Sequence, residues 1–150
     1  MSRDAPALRV WSWAALAAYS VFLAYILLNP SPSDSISVVD RVLMLAEDLG
    51  VSGELVTGRR VEFVLNALLF APIPFLGIWA MPRIRGSGWV TLIFVGSLAV
   101  EVVQGTLLPD RSAEFADVVA NTLGGVLGAV LAVGVQRRGS IPGFGSRLRG

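Results

Sequence analysis

Six side chains stand out by type and spacing as able to do chemistry: Asn66, Glu101, Gln104, Arg111, Asp117 and Asn121. Carboxylates and amides accept or donate hydrogen bonds, and a guanidinium holds an anion. Such a set can recognise a polar headgroup, carry a proton, or act as an acid–base pair. The rest of the chain offers little else. It has no histidine and no cysteine, and its twelve basic residues are all arginine. Disulfides, thiol nucleophiles, thiolate or imidazole metal sites, lysine Schiff bases and imidazole proton shuttles are excluded. No cofactor or metal is expected, and a net charge of +1 gives no field for nucleic acid.

The spacing groups these residues. Ser97, Glu101 and Gln104 follow i, i+4, i+7, and Asp117, Asn121, Gly124 and Gly128 follow i, i+4, i+7, i+11. On helices each set is one stripe. Below Asn121 the second stripe is bare backbone, and Gly124-x-x-x-Gly128 permits close helix approach.

The elements that must position them are membrane helices. Hydrophobic residues make up 54% of the 150 residues and charged residues only 15%, against about 25% charged in soluble domains. Mean hydropathy is +0.68. Four apolar segments reach the ~20 residues that cross a bilayer, at about 10–28, 61–81, 89–108 and 116–135. Helices are required, because backbone polar groups in lipid must be satisfied within the segment. The expected class is all-α, an integral membrane protein with four transmembrane helices in a domain spanning 1–138. A flexible cytoplasmic tail, rich in Gly, Ser and Arg, is expected over 139–150. The first segment exceeds the usual h-region of about 7–15 residues and lacks a cleavage site, so it reads as an uncleaved span.

Arginine placement sets the expected orientation. With both termini cytoplasmic, Arg3, Arg9, Arg83, Arg85, Arg137, Arg138, Arg147 and Arg149 lie inside, opposed only by Asp4. Arg41, Arg59, Arg60 and Arg111 lie outside with most of the acids, and Trp11, Trp13, Trp79 and Trp89 fall at inner helix ends. This topology brings Asn66, Glu101, Gln104, Asp117 and Asn121 to one depth in the outer half of the bilayer. Arg111 lies in the hairpin loop above them.

The outer loop between the first two spans carries an amphipathic pattern. A short helix is expected from a Ser37 cap to Leu49, stopped by Gly50, with Val38, Val39, Val42, Leu43, Leu45, Ala46 and Leu49 on its apolar arc. It reads as a helix lying across the outer ends of the bundle, either a plain connector or a lid. Pro72 and Pro74 should kink or break the second span near its middle.

These residues, in this order, resemble the VanZ-like family of bacterial membrane proteins. The matching pieces are N-A-L-L-F-A-P from Asn66 to Pro72, E-V-V-Q from Glu101 to Gln104, and the run from Leu108 to Gly128 containing Arg111 and D-V-V-A-N-T-L-G. One part departs: an Asp-Lys-x-x-His of the family is matched here by Asp40-Arg41-Val42-Leu43-Met44. The resemblance implies a multi-pass protein of the bacterial cell membrane, linked through the family's name-giving member to low-level teicoplanin resistance. The expected function is binding of a lipid or cell-wall-precursor headgroup, with membrane lipids and an amphiphilic ligand as partners. Two other classes stay open: an enzyme on a lipid-linked intermediate with Glu101 and Asp117 as acid and base, and a small transporter subunit. A purely structural role for the buried polar groups, and association with further copies, also stay open.

Overall fold

In the computed structural model, residues 5–28, 33–51, 53, 56–107 and 114–139 are described. Among them are six helices: α1 (Ala5–Leu28), α2 (Ser33–Asp48), α3 (Gly58–Phe70), α4 (Pro72–Ala80), α5 (Gly86–Leu107) and α6 (Phe115–Gly139). The described residues include no strand. Four stretches are long and apolar enough to cross a membrane: Ala7–Leu27, Gly58–Ala80, Gly86–Val103 and Phe115–Arg138. Large apolar side chains such as Val21, Tyr25, Leu92, Val130 and Leu131 are exposed along these stretches. An outer surface of that kind suits lipid rather than water, and the chain is a multi-pass membrane protein. The tail from 140 onward lies outside the described residues.

Helix α6 sits at the centre, packed against α3, α4 and α5, while α1 packs chiefly on α4. The hydrogen-bond ladder of the second span is interrupted at its prolines, although Ala71 keeps a helical backbone (φ −59°, ψ −37°). Helix α3 ends at Phe70, Ala71 is a turn, and α4 starts at Pro72. Pro72 and Pro74 supply no N–H, so the carbonyls of Leu68 and Phe70 lose their helical donors. Nearby carbonyls are bonded from elsewhere: the Tyr19 hydroxyl on α1 donates to Leu69 O at 2.8 Å. Ala71 N donates to Ala67 O at 3.2 Å, and Phe75 N to Ala71 O at 3.4 Å.

The glycines of α6 pack onto this break. A Cβ at Gly124 would overlap the carbonyl of Ala67, and one at Gly128 would overlap the carbonyl of Ala71 and touch Pro74. With hydrogen there instead, the two backbones can approach closely, as small residues allow at helix interfaces. Around the turn of α6, Gly125 faces Ile93 of α5. One helix therefore carries two seams, Gly124 and Gly128 toward α3–α4 and Gly125 toward α5.

Toward the other end, Leu16, Ile78, Ala80, Trp89, Ala129 and Ala132 form an apolar core. Trp89 is only 5% exposed, and its ring lies where a Cβ on Gly77 would stand. The four tryptophans lie near helix ends, but they differ in burial. Trp11 and Trp13 are exposed and Trp79 is half-buried, but Trp89 packs inside because Gly77 leaves room for an indole. Arg9 Nε donates to Ala80 O at 3.2 Å, fixing α1 beside the end of α4.

Helix α2 begins at Ser33 rather than Ser37. Serines at 33, 35 and 37 are equally eligible caps, so residue type alone does not choose among them. Its end is as expected. Gly50 has φ +73°, Gly50 N donates to Glu47 O at 2.9 Å, and Val51 N donates to Ala46 O at 2.9 Å. This is the paired-bond Schellman termination, which a left-handed glycine makes easy. The apolar arc divides in two. Val39, Val42, Leu43 and Ala46 are half-buried where α2 meets α3, whereas Val38, Leu45 and Leu49 remain exposed.

The two seams predict a position-dependent glycine response. Gly124→Ala and Gly128→Ala should each lower stability by about 1–3 kcal/mol, the usual penalty for overpacking. Gly96→Ala and Gly134→Ala, which would meet nothing within 4 Å, should be neutral. Thermal unfolding of the four purified variants in detergent checks the contrast.

Candidate polar site at the α3–α5–α6 junction

The polar residues lie on the first three turns of α6 and on the helices that flank it. Asp117 stands in the first turn of α6, where a carboxylate complements the helix dipole. Its Oδ1 accepts from Asn66 Nδ2 at 2.9 Å, joining α6 to α3. One turn on, Asn121 Nδ2 donates to Ser97 Oγ at 2.7 Å, joining α6 to α5. Glu101, one turn along α5 from Ser97, accepts from the backbone N–H of Glu114 through Oε2 at 2.9 Å. Glu114 immediately precedes α6, and its carbonyl accepts from Asp117 N at 2.9 Å. Both carboxylates therefore attend the amino end of one helix, one from within it and one from its neighbour.

Burial is deep at this junction. Ser97 is 1% exposed, Asn121 4% and Glu101 7%, and Val118 between the polar turns is 1% exposed. Asn66 and Asp117 are half-buried. Glu101 and Asp117 each make a further interaction besides these bonds. Asn121 Oδ1 does not: among the described residues it is a buried acceptor with no donor. An unsatisfied buried amide oxygen carries a desolvation penalty of about 1–3 kcal/mol, so it calls for a partner.

The six residues expected from the sequence are thus partly assembled. Asn66 meets Asp117 directly, and Asn121 and Glu101 join the same stack through Ser97 on α5 and the start of α6. Gln104 lies on α5 beyond Glu101, and its side chain is outside what is described. Arg111 lies outside the described residues. Two partners were missing from the expected set. Ser97 had a signal, standing four residues before Glu101 on the same stripe. The Glu114 N–H had none, because any residue there would offer it. Asn121 also departs from the single stripe read for α6. Its side chain turns to α5, while Asp117, Gly124 and Gly128 face α3–α4.

A group of three or more His, Cys, Asp or Glu side chains able to hold a metal is absent among the described residues. Two open grooves lie away from the junction. One follows α5 and α6 at the opposite end and includes Ala129 and Arg137. The other lies between α1 and α5 and includes Leu23, Phe70 and Gly96.

The VanZ/LLP1 family model matches residues 16–136, a stretch that takes in every contact just described. The chain belongs to the VanZ/LLP1 family. Neither a curated protein nor a solved structure matches it. For this VanZ/LLP1 chain, the motif residues Asn66, Glu101, Asp117 and Asn121 are therefore those that join α3, α5 and α6 near one end.

The pairings are separable by measurement. A double-mutant cycle of Asn66→Ala and Asp117→Ala should give a coupling of about 0.6–2 kcal/mol, the range for hydrogen bonds between membrane helices. Glu101→Gln keeps an oxygen that accepts from Glu114 N, so it should unfold near the native temperature. Glu101→Leu leaves that N–H unpaired and should lose about 1–3 kcal/mol. Unfolding in bicelles followed by circular dichroism reads both comparisons.

Proposed function

We propose that this VanZ/LLP1 protein recognises the polar headgroup of an amphiphile, a lipid or lipid-linked cell-wall precursor, at the α3–α5–α6 junction. The observation that carries the reading is the buried Asn121 Oδ1, an acceptor with no donor among the described residues, on the same junction as the carboxylates of Glu101 and Asp117. Such a place is rich in acceptors. It suits hydroxyl, amide N–H or ammonium groups, as found in sugar, peptide or ethanolamine headgroups. Arginine asymmetry supports a topology with this end outward and both termini cytoplasmic in the bacterial cell membrane. Arg111 falls between α5 and α6 in the sequence, and in this reading it contacts an anionic part of the ligand. An outward site on a lipid-linked precursor also fits the family's link to teicoplanin, which acts outside the membrane.

A second reading rests on the same bonds. Each described pair ties two helices together, so the polar layer would serve as a lock for packing alone. The two readings separate when function and stability are measured on one set of variants. In cells expressing the protein, Asn121→Leu and Arg111→Ala should lower teicoplanin tolerance and reduce retention of a lipid-linked precursor. Asn121→Leu also removes the bond to Ser97 Oγ, so Ser97→Ala, which breaks the same bond but keeps Asn121 Oδ1, is its control and should leave retention and tolerance near wild type. Loss of stability with unchanged ligand retention and unchanged tolerance establishes the lock and overturns the recognition site.

A further inference from the structure

At the end opposite the polar layer, basic residues gather without acidic ones. Arg9 is bonded to the end of α4, Arg83 and Arg85 lie in the turn between α4 and α5, and Arg137 and Arg138 lie in the last turn of α6. No acidic residue occurs between Glu62 and Glu101 or after Asp117, and α1 contains none. The five arginines therefore face no carboxylate among the described residues.

A groove opens at this end between α5 and α6. Its volume is about 490 Å³, within the range of roughly 300–1,000 Å³ seen for ligand sites. Val90 stands on one wall, Val126, Val130 and Val133 on the other, and Gly86 approaches Ala129 at the crossing. Gly134 adds no side chain and has open space beside it. Of the five arginines only Arg137 lines the groove, accompanied by the Ser87 hydroxyl. The result is an apolar trough running along the membrane-spanning part of two helices, with one cation at its mouth. Its walls match a hydrocarbon chain and its mouth matches a phosphate.

We propose that the α5–α6 groove binds one anionic phospholipid, its acyl chain along Val90, Val126, Val130 and Val133 and its phosphate on Arg137. A guanidinium presents paired donors to phosphate oxygens, and exposed arginines at a membrane surface already draw anionic headgroups. The groove adds a fixed position to that attraction. It sets Arg137 apart from Arg138, its neighbour of equal charge, which does not line the groove.

The test uses the full chain in detergent carrying phosphatidylglycerol or phosphatidylcholine, with bound lipid counted by native mass spectrometry. Wild type should retain one phosphatidylglycerol in preference to phosphatidylcholine. Arg137→Gln should weaken that retention by about fivefold, and Arg138→Gln should leave it within twofold. Gly134→Leu, which fills the trough without altering charge, should weaken retention of phosphatidylglycerol while the protein unfolds at the native temperature. Equal losses for Arg137→Gln and Arg138→Gln would mean diffuse attraction to the basic end and overturn the site. So would unchanged retention in Gly134→Leu, equal retention of the two lipids by wild type, or displacement of the lipid by glycerol phosphate at matched concentration.

Discussion

The bundle depends on the contact between the bare glycine backbone of α6 and the backbone of the second span beside its prolines. Gly124 and Gly128 bring the α6 backbone onto the carbonyls of Ala67 and Ala71, at the point where Pro72 and Pro74 interrupt the second span. In lipid no hydrophobic force pulls helices together, so close packing and polar contacts must hold them. The Ala67 and Ala71 carbonyls already accept from Ala71 N and Phe75 N, and the glycines let another backbone pack directly on them. The Tyr19 hydroxyl approaches the same break from α1 and bonds Leu69. Three spans thus converge on one interruption.

That convergence fixes the polar layer. Once Gly124 is seated on Ala67, Asp117 lies two turns earlier on the same face and meets Asn66 on α3. Gly125 against Ile93 similarly sets α5, and Asn121 then meets Ser97 one turn from Ile93. The polar bonds are too weak to build the junction unaided, at about 0.6–2 kcal/mol each. They become specific because the glycine seams have already fixed depth and rotation.

Much of this was legible in the sequence. The four spans, the proline break, the Gly50 stop and the glycine seam follow from length, composition and the special backbones of proline and glycine. By depth the sequence set Asn66 level with Asn121 and Asp117 one turn above, whereas Asn66 bonds Asp117. What the sequence left open was rotation. At 100° per residue Asn121 lies close to the Asp117 stripe, and only the position of α5 decides that it turns toward Ser97. The burial of Trp89 was hidden for a similar reason, because Gly77, which leaves room for its indole, is on a different helix. The start of α2 was ambiguous because three serines alternate there.

The placement of α6 has a consequence for assembly. The helix that joins α3, α4 and α5 follows all of them along the chain. During synthesis the earlier spans reach the membrane without the surface they are shaped to fit. Until α6 arrives, Asn66 and Ser97 lack the side chains that bond them, and Glu101 lacks the Glu114 amide. A half-made chain is therefore a set of loosely associated helices bearing exposed polar groups, a natural target for membrane quality control. Insertion of one small-residue helix converts it into a closed bundle in a single late step.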